Sequence, residues 1–146
     1  MEIILVDGKS VDKTIPIGQE ILEKSGIAFK FFNDEEKGLG YARQIVVDAA
    51  RGEYVCWVDS DNVVPRSFLK THAEFAKNNS NVSLFISLIL FKENRLVGKL
   101  EGYRLLLPSL NAVGTQRMPH IAMQGTFVSL KALRSVGGFD KSIDGA

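Results

Sequence analysis

Apolar and polar positions along the first 80 residues predict strands and helices in turn. Short runs of consecutive apolar residues indicate buried strands, whereas apolar residues three or four positions apart indicate helices with one buried face. The predicted strands are Ile3 to Val6, Ala28 to Phe32 and Tyr54 to Val58. Helices are predicted from Asp12 to Ser25, from Gly38 to Gly52, and from Pro65 onward. This alternation favours parallel crossover units in an α/β fold.

The apolar positions of the three predicted helices define the expected core. They are Ile17, Ile21 and Leu22 in the first helix; Leu39, Ala42, Ile45, Val46, Ala49 and Ala50 in the second; and Phe68, Leu69, His72, Phe75 and Ala76 in the third. Because His72 shares an apolar face, we expect it to pack in the core rather than to bind a metal.

The pattern becomes less regular after the third helix. A long strand is predicted from Val82 to Phe91, with Val82, Leu84, Ile86, Leu88 and Leu90 on one side. Beyond it, the sequence predicts a helix from Lys99 to Leu110, a loop from Gln116 to Met123, a strand at Thr126 to Val128, and a short helix from Lys131 to Val136.

Length and composition limit the classes of protein. The 146 residues suit a single domain over 1–146, and 18 basic against 17 acidic residues give no signature of nucleic-acid binding. The single cysteine, Cys56, excludes an internal disulfide and suits a reducing cytoplasm. Neither a signal peptide nor an apolar run long enough to span a membrane is present in the sequence. We therefore expect a cytoplasmic protein.

Three aspartates fall where predicted strands end, namely Asp7, Asp59 and Asp61. Ligands of open α/β sheets bind beyond the carboxyl ends of the strands. Residues two apart in an extended segment point to the same side, so Asp59 and Asp61 can converge on one cation. Carboxylate oxygens suit Mg²⁺ or Mn²⁺. The alternative is a polar turn after a strand, where Asp, Ser and Asn are common.

Several segments, in order, resemble family 2 glycosyltransferases. The stretch IILVDGKSVDKT, Ile3 to Thr14, resembles the first nucleotide-binding motif, and GYARQIVVDAARGEYVCWVDSD, Gly40 to Asp61, resembles the block that ends in the D-x-D signature. The GGFD stretch, Gly137 to Asp140, matches a later element. The resemblance implies a three-layer α/β/α fold of the A-type glycosyltransferase class with a mostly parallel sheet. It also implies transfer of a sugar from a nucleotide-diphosphate sugar, with inversion.

The resemblance also implies a role for each matching residue. Asp7 would contact the nucleotide base, Arg43 would lie near the donor, and Asp59 would face the ribose or the metal. Asp61 would hold Mg²⁺ or Mn²⁺. Residues 1–91 would form the nucleotide-binding half and 92–146 the acceptor-side half, in which Gln124 and Gly125 border the acceptor.

The sequence departs from the family pattern in four places. Gly8 and Lys9 stand where many members have Asp and Gly, and Gln44 replaces the usual Asn. The family's first strand would precede Ile3, and its catalytic acid would follow about where the sequence stops, which leaves Asp144 as a weak candidate. We therefore expect an incomplete catalytic domain with little activity alone, and a homo-oligomer formed through an unpaired strand slot. A non-catalytic nucleotide-sugar-binding module is the alternative.

Two further possibilities concern function and acceptor. The stretch VCWVDSDNVV also fits the opening motif of haloacid dehalogenase-like phosphatases, although two strand-helix units precede it and no adjacent acidic pair follows. The acceptor, whether a saccharide, a lipid-linked molecule or a protein, is not specified by these residues. Leu105 to Leu107 could touch a lipid at the membrane periphery, but a core-facing helix is the preferred interpretation.

Overall fold

The computed structural model describes residues 1–87, 123 and 125–143. The strands are β1 (Glu2–Asp7), β2 (Ala28–Asn33), β3 (Tyr54–Cys56), β4 (Leu84–Ile86) and β5 (Thr126–Ser129). The helices are α1 (Thr14–Ser25), α2 (Leu39–Ala49), α3 (Phe68–Asn78) and α4 (Leu130–Ser135). Every predicted element that falls in the described part of the chain is present, with shifts of a few residues at its ends. Outside the described residues lie the helix predicted at 99–110, residues 88–91 of the predicted long strand, and residues 116–122 of the predicted loop.

The described strands form two sheets. β1 and β2 pair in parallel with Glu2 opposite Ala28 and Asp7 opposite Asn33, as expected for a crossover unit. The second sheet has the order β3, β5, β4, and β4 and β5 pair antiparallel with Phe85 opposite Phe127. The described strands therefore combine parallel and antiparallel pairing in an α/β fold.

The chain divides into two compact units. The first unit comprises Met1–Val55 and Ser129–Ala146, and the second comprises Cys56–Val128. In the first unit, α2 packs against β1 and α4, and the buried apolar residues are Leu22, Val47, Ala50, Val55 and Leu130. Among the described residues of the second unit they are Phe68, Ala76, Phe127 and Val128.

The end of α2 is capped by two cations of the first unit. Arg134 donates from Nη2 to the carbonyl oxygens of Val47 at 2.7 Å and Ala50 at 3.0 Å. Lys30 donates from Nζ to the carbonyl oxygen of Ala49 at 2.8 Å. The last carbonyl groups of a helix lack partners within it and carry partial negative charge. The two cations therefore donate hydrogen bonds to these carbonyls and also neutralise the partial charge.

Some of the predicted buried faces were wrong. In α1, Ile17 is 51% and Ile21 61% exposed, and only Leu22 is buried. The buried face of α2 is formed by Gly40, Gln44 and Val47 rather than by its most apolar stripe. Hydropathy could not identify this face, because Gly40 and Gln44 are buried through contacts with the chain around residues 138–143.

The two sides of β4 differ in their packing, and the sequence pattern did not indicate which side faces inward. Phe85 stacks on His72 and Phe127, whereas Leu84 and Ile86 on the opposite side are 36% and 37% exposed. The physical reason is the aromatic cluster, since side chains alternate across a strand and Phe85 offers the larger apolar area. No helix within residues 1–87 and 125–143 is long and apolar enough to cross a membrane.

Candidate functional site

Asp7 closes the loop that follows β1. Its Oδ2 accepts the backbone N–H of Ser10 at 2.8 Å, and its Oδ1 accepts the Ser10 hydroxyl at 2.5 Å. The Ser10 hydroxyl, then the Ser10 backbone N–H, hold the pKa of the Asp7 carboxyl below its usual range. Asp7 is therefore a charged acceptor at neutral pH, with lone pairs still available to a ligand.

A second loop, which follows β2, lies against the Asp7 loop. The Asp34 backbone N–H donates to the Asp7 carbonyl oxygen at 3.1 Å, and Lys9 Nζ lies 3.0 Å from Glu36 Oε2. Within the described residues, positive φ occurs in non-glycine residues only in these two loops, at Lys9, Glu35 and Glu36. Side chains resist this conformation, so the backbone here is strained, and such strain tends to collect at functional sites.

Arg43 and Gln44 lie on the side of α2 that meets the GGFD segment. The Arg43 guanidinium lies 5.9 Å from the centroid of the Phe139 ring. Gln44 is buried, and its side-chain amide accepts the Phe139 backbone N–H at 2.7 Å and donates to Asp48 at 2.8 Å. Arg43 was predicted to lie near the donor, and the structure adds a contact with the GGFD segment.

Two glycines allow this close approach. A methyl group at Gly138, where φ is +77°, would overlap the Gln44 amide, and one at Gly40 would overlap the carbonyl oxygen of Asp140. The Gly40 N–H also donates to the Ile143 carbonyl oxygen at 3.0 Å. α2 and the GGFD segment are therefore fastened together at several points, which residue-type patterns did not predict.

Asp140 is occupied within its own turn. Its Oδ1 accepts the Ser142 backbone N–H at 2.9 Å and the Ser142 hydroxyl at 2.7 Å. The Ser142 hydroxyl and then its N–H hold the pKa of the Asp140 carboxyl below its usual range. These bonds show that the Asp140 carboxylate shapes its own turn.

Asp59 and Asp61 lie in a turn in the second unit, shortly after β3. The Asn62 N–H donates to the Asp59 carbonyl oxygen at 3.0 Å, which closes the turn. Asp59 is half-buried and Asp61 is exposed. Across the described part of the chain, neither carboxylate has a hydrogen-bond or ion-pair partner among the contacts of these residues.

The two carboxylates suit a divalent cation chemically. Hard oxygen ligands without competing protein partners are what Mg²⁺ and Mn²⁺ take up, and both ions retain positions for water or phosphate oxygens. Residues 1–87, 123 and 125–143 contain no group of three or more His, Cys, Asp or Glu side chains arranged around a common metal position. Two protein carboxylates would therefore have to be completed by ligand oxygens and water.

Gly125 is joined to the strand that leads into this turn. Its N–H donates to the Trp57 carbonyl oxygen at 2.9 Å, and the Trp57 N–H donates to the Thr126 carbonyl oxygen at 3.2 Å. Trp57 precedes Asp59 by two residues, so the structure brings the predicted acceptor-side Gly125 close to the predicted metal ligands. Sequence reasoning did not find this link. Gln124 and Asp144 lie outside the described residues.

The thiol of Cys56, in β3, is free and partly buried. Burial raises the pKa of its thiol to about 12. Only the thiolate is reactive, so this side chain acts as a packed apolar group at neutral pH.

Comparisons with known proteins point to one family. The family model described as glycosyl transferase family 2 matches residues 1–136. An uncharacterized glycosyltransferase of Haemophilus influenzae is 33% identical over 79 residues, which cover 54% of this chain and 32% of that protein. The poly(ribitol-phosphate) beta-N-acetylglucosaminyltransferase TarS of Staphylococcus aureus is 29% identical over 87 residues, which cover 60% of this chain and 15% of TarS.

Solved structures of S. aureus TarS share the fold. TarS 1–349 in complex with UDP matches with a TM-score of 0.68 and 19% identity, covering 99% of this chain and 42% of that one. A second TarS structure matches with a TM-score of 0.70, covering 99% and 26%. The chain thus spans less than half of these relatives. The predicted α/β fold of the A-type glycosyltransferase class is confirmed.

Proposed function

Because the chain belongs to glycosyl transferase family 2, we propose that it transfers a sugar from a nucleotide-diphosphate sugar to an acceptor hydroxyl, using Mg²⁺ or Mn²⁺. The observation that carries the proposal is the turn at Asp59 and Asp61, whose two carboxylates lack partners among the described residues. The comparisons give no support to the haloacid dehalogenase-like alternative.

The donor side is assigned to four residues. Asp61, with Asp59, would hold the metal, and Asp59 would also face the ribose. Asp7 would contact the base through the acceptor capacity that its bonds with Ser10 leave open. Arg43 completes the set. We take UDP as the first nucleotide to test because a TarS structure contains UDP.

Transfer is proposed to invert the anomeric centre. The acceptor oxygen forms a bond to the anomeric carbon while the bond from that carbon to the diphosphate oxygen breaks, and a carboxylate takes the hydroxyl proton. A bound divalent cation supplies charge neutralisation for the departing diphosphate. Asp140 is not assigned as this base, because its Oδ1 is engaged by the N–H and hydroxyl of Ser142. Gln124 and Gly125 are assigned to the acceptor side.

Substitution of Asp61 tests the proposal. Calorimetric titration with UDP in the presence of Mn²⁺ should give binding to the unaltered chain and none to Asp61→Ala. Ser60→Ala is the matched control, because Ser60 is exposed in the same turn. Since Asp61 has no partner among the described residues, its removal should change the free energy of unfolding by less than about 0.5 kcal/mol.

Ligand binding also has a thermal readout. UDP with Mn²⁺ at about a hundred times the dissociation constant should stabilise the fold by about 2.7 kcal/mol. Equal binding by Asp61→Ala and the unaltered chain would reject the metal assignment. Binding of the nucleotide without transfer from a panel of UDP- and GDP-sugars would favour the alternative of a nucleotide-sugar-binding module.

A further inference from the structure

His72 lies within an aromatic cluster in the second unit. Its ring stacks on Phe127 at a centroid distance of 4.6 Å and on Phe85 at 5.7 Å, with interplanar angles of 17° and 15°. The Phe68 ring is 4.4 Å away. The prediction that His72 packs among apolar side chains is confirmed. In addition, both of its ring nitrogens make hydrogen-bond contacts.

Hydrogen bonding fixes the tautomer of His72. Nδ1 lies 2.6 Å from the carbonyl oxygen of Phe68, which can only accept, so Nδ1 carries the hydrogen. In the neutral ring Nε2 is then an acceptor, and it contacts the Ser87 hydroxyl. Ser87 therefore donates to His72, and α3 is tied to the residue that follows β4.

Part of the aromatic cluster borders open space. A cavity of about 160 Å³, lined by Thr71, His72, Phe75, Phe85 and Ile86, borders the cluster. An aromatic ring beside open space can change its tilt at little cost in packing. The hydrogen bonds at Nδ1 and Nε2 fix the orientation of the His72 ring on the side that borders this cavity.

Ser87, whose hydroxyl contacts His72, also bonds Gly125 through its backbone. The Ser87 backbone N–H donates to the Gly125 carbonyl oxygen at 3.1 Å. Gly125 has φ of +64°, and a methyl group there would lie 3.2 Å from the Ser87 Cβ, so both the backbone conformation and the close approach favour glycine. From Gly125, the bond to the Trp57 carbonyl oxygen leads toward Asp59.

We propose that His72 is a positioning residue, which acts through Ser87 to hold the turn at Gly125 beside the strand that leads into Asp59 and Asp61. The role in transfer rests on the proposed function, in which this turn borders the acceptor. The positioning itself depends only on the contacts of His72, Ser87, Gly125 and Trp57.

Two variants break the link in different ways. His72→Phe retains an aromatic ring in the stack but loses both nitrogens, whereas Ser87→Ala removes the hydroxyl and retains the backbone N–H. Thr71→Ala is the matched control, because Thr71 is an exposed neighbour on α3 that lines the same cavity. Amide hydrogen exchange, measured by NMR on the full chain, reports each site separately.

In both variants, the Ser87 and Gly125 amides should exchange about fivefold faster or more than in the unaltered chain. This is the change expected when the loss of one hydrogen bond lowers the free energy of local opening. Amides of the first unit, such as that of Val47, should be unchanged, and Thr71→Ala should match the unaltered chain. Unchanged exchange at Gly125, or an equal rise throughout the chain, would overturn the proposal, because the second result means a general loss of stability.

Metal binding separates this proposal from the function on which it rests. With UDP present, the dissociation constant for Mn²⁺ should stay within about twofold in both variants, since the carboxylates are intact. Paramagnetic broadening of the Gly125 amide by Mn²⁺ should weaken as the turn moves. Unchanged broadening would overturn the acceptor-side role. Failure of the unaltered chain to bind Mn²⁺ and UDP would overturn the proposed function, and the exchange rates would still decide whether His72 positions Gly125.

Discussion

Gln44 offers the sharpest test of how the GGFD segment is held on α2. Its side chain is 9% exposed and bonds the Phe139 N–H at 2.7 Å and Asp48 at 2.8 Å. Gln44→Ala removes both bonds and leaves space between Gly138 and the helix. The segment from Gly137 to Ile143 would then keep the bond from Gly40 to Ile143 and the contact of Arg43 with Phe139.

The cost of Gln44→Ala can be estimated term by term. Loss of the acceptor for the half-buried Phe139 N–H should cost about 1–2 kcal/mol. The bond to the exposed Asp48 carboxylate adds at most about 1 kcal/mol because of solvent screening, and the lost packing adds about 1 kcal/mol. We expect a total of roughly 2–4 kcal/mol, equivalent to a fall in Tm of about 5–12 °C for a chain of this size.

Urea and thermal unfolding followed by circular dichroism measure this change. Gln19→Ala is the control, because Gln19 is an exposed residue of the same type on α1. Its effect should lie within about 0.5 kcal/mol. An equal loss of stability in the two variants would refute the assignment of Gln44 as a fastening residue.

A double-mutant cycle with Gly138→Ala tests the contact itself. A methyl group at Gly138 meets the Gln44 amide and is also strained at a φ of +77°. Deleting the Gln44 side chain relieves the overlap but not the strain. The double variant should therefore be more stable than the sum of the single effects predicts, by about 1 kcal/mol or more. Strict additivity would mean that the two side chains do not meet.

Three further predictions concern the loops and the sheet edge. Lys9→Gly should be more stable than Lys9→Ala by about 1 kcal/mol in urea unfolding, because both lose the pair with Glu36 but only glycine relieves the φ of +71°. The Ser10 hydroxyl lowers the pKa of Asp7, so Ser10→Ala should be less stable than the unaltered chain at about pH 7, and the difference should vanish as pH falls through the folded-state pKa of Asp7. A constant difference from about pH 7 to about pH 2 would contradict this. Among the described strands β1 pairs with β2 alone, so we expect self-association through its other edge, and a monomer in light scattering at high concentration would argue against it.

The order of helices and strands was predictable because apolar spacing is a local property. The bounds of β1 and β2 were predicted within one residue and those of α2 within three, since each element combines an apolar run with glycine or polar residues at its ends. The buried faces were harder to predict. Gln44 is buried because a backbone N–H from residue 139 needs its oxygen, and Phe85 faces inward because His72 and Phe127 lie there. Both causes are long-range contacts, which the period of a single element does not contain.

The sequence assigned candidate residues to the site, but it did not indicate the contacts that connect them. Resemblance assigned Asp7, Asp59 and Asp61, and all three lie at or beyond the end of a strand, as expected for an α/β sheet. It did not indicate that Gly125 bonds Trp57, or that Ser87 links Gly125 to His72. A serine and a histidine 15 residues apart have no spacing that marks them as partners.

The loop aspartates differ in how their carboxylates are satisfied, and this difference bears on where a cation would bind. Asp7, Asp12, Asp34 and Asp140 each accept a backbone N–H two or three residues further along the chain. A metal at any of these would compete with bonds that shape its own turn. Asp59 and Asp61 have no such partner within residues 1–87 and 125–143. Carboxylate oxygens without protein partners remain available to a divalent cation. We therefore propose Asp59 and Asp61, rather than the loop aspartates that bond their own turns, as the pair to test for metal binding; Asp7 shapes its loop through its bonds with Ser10.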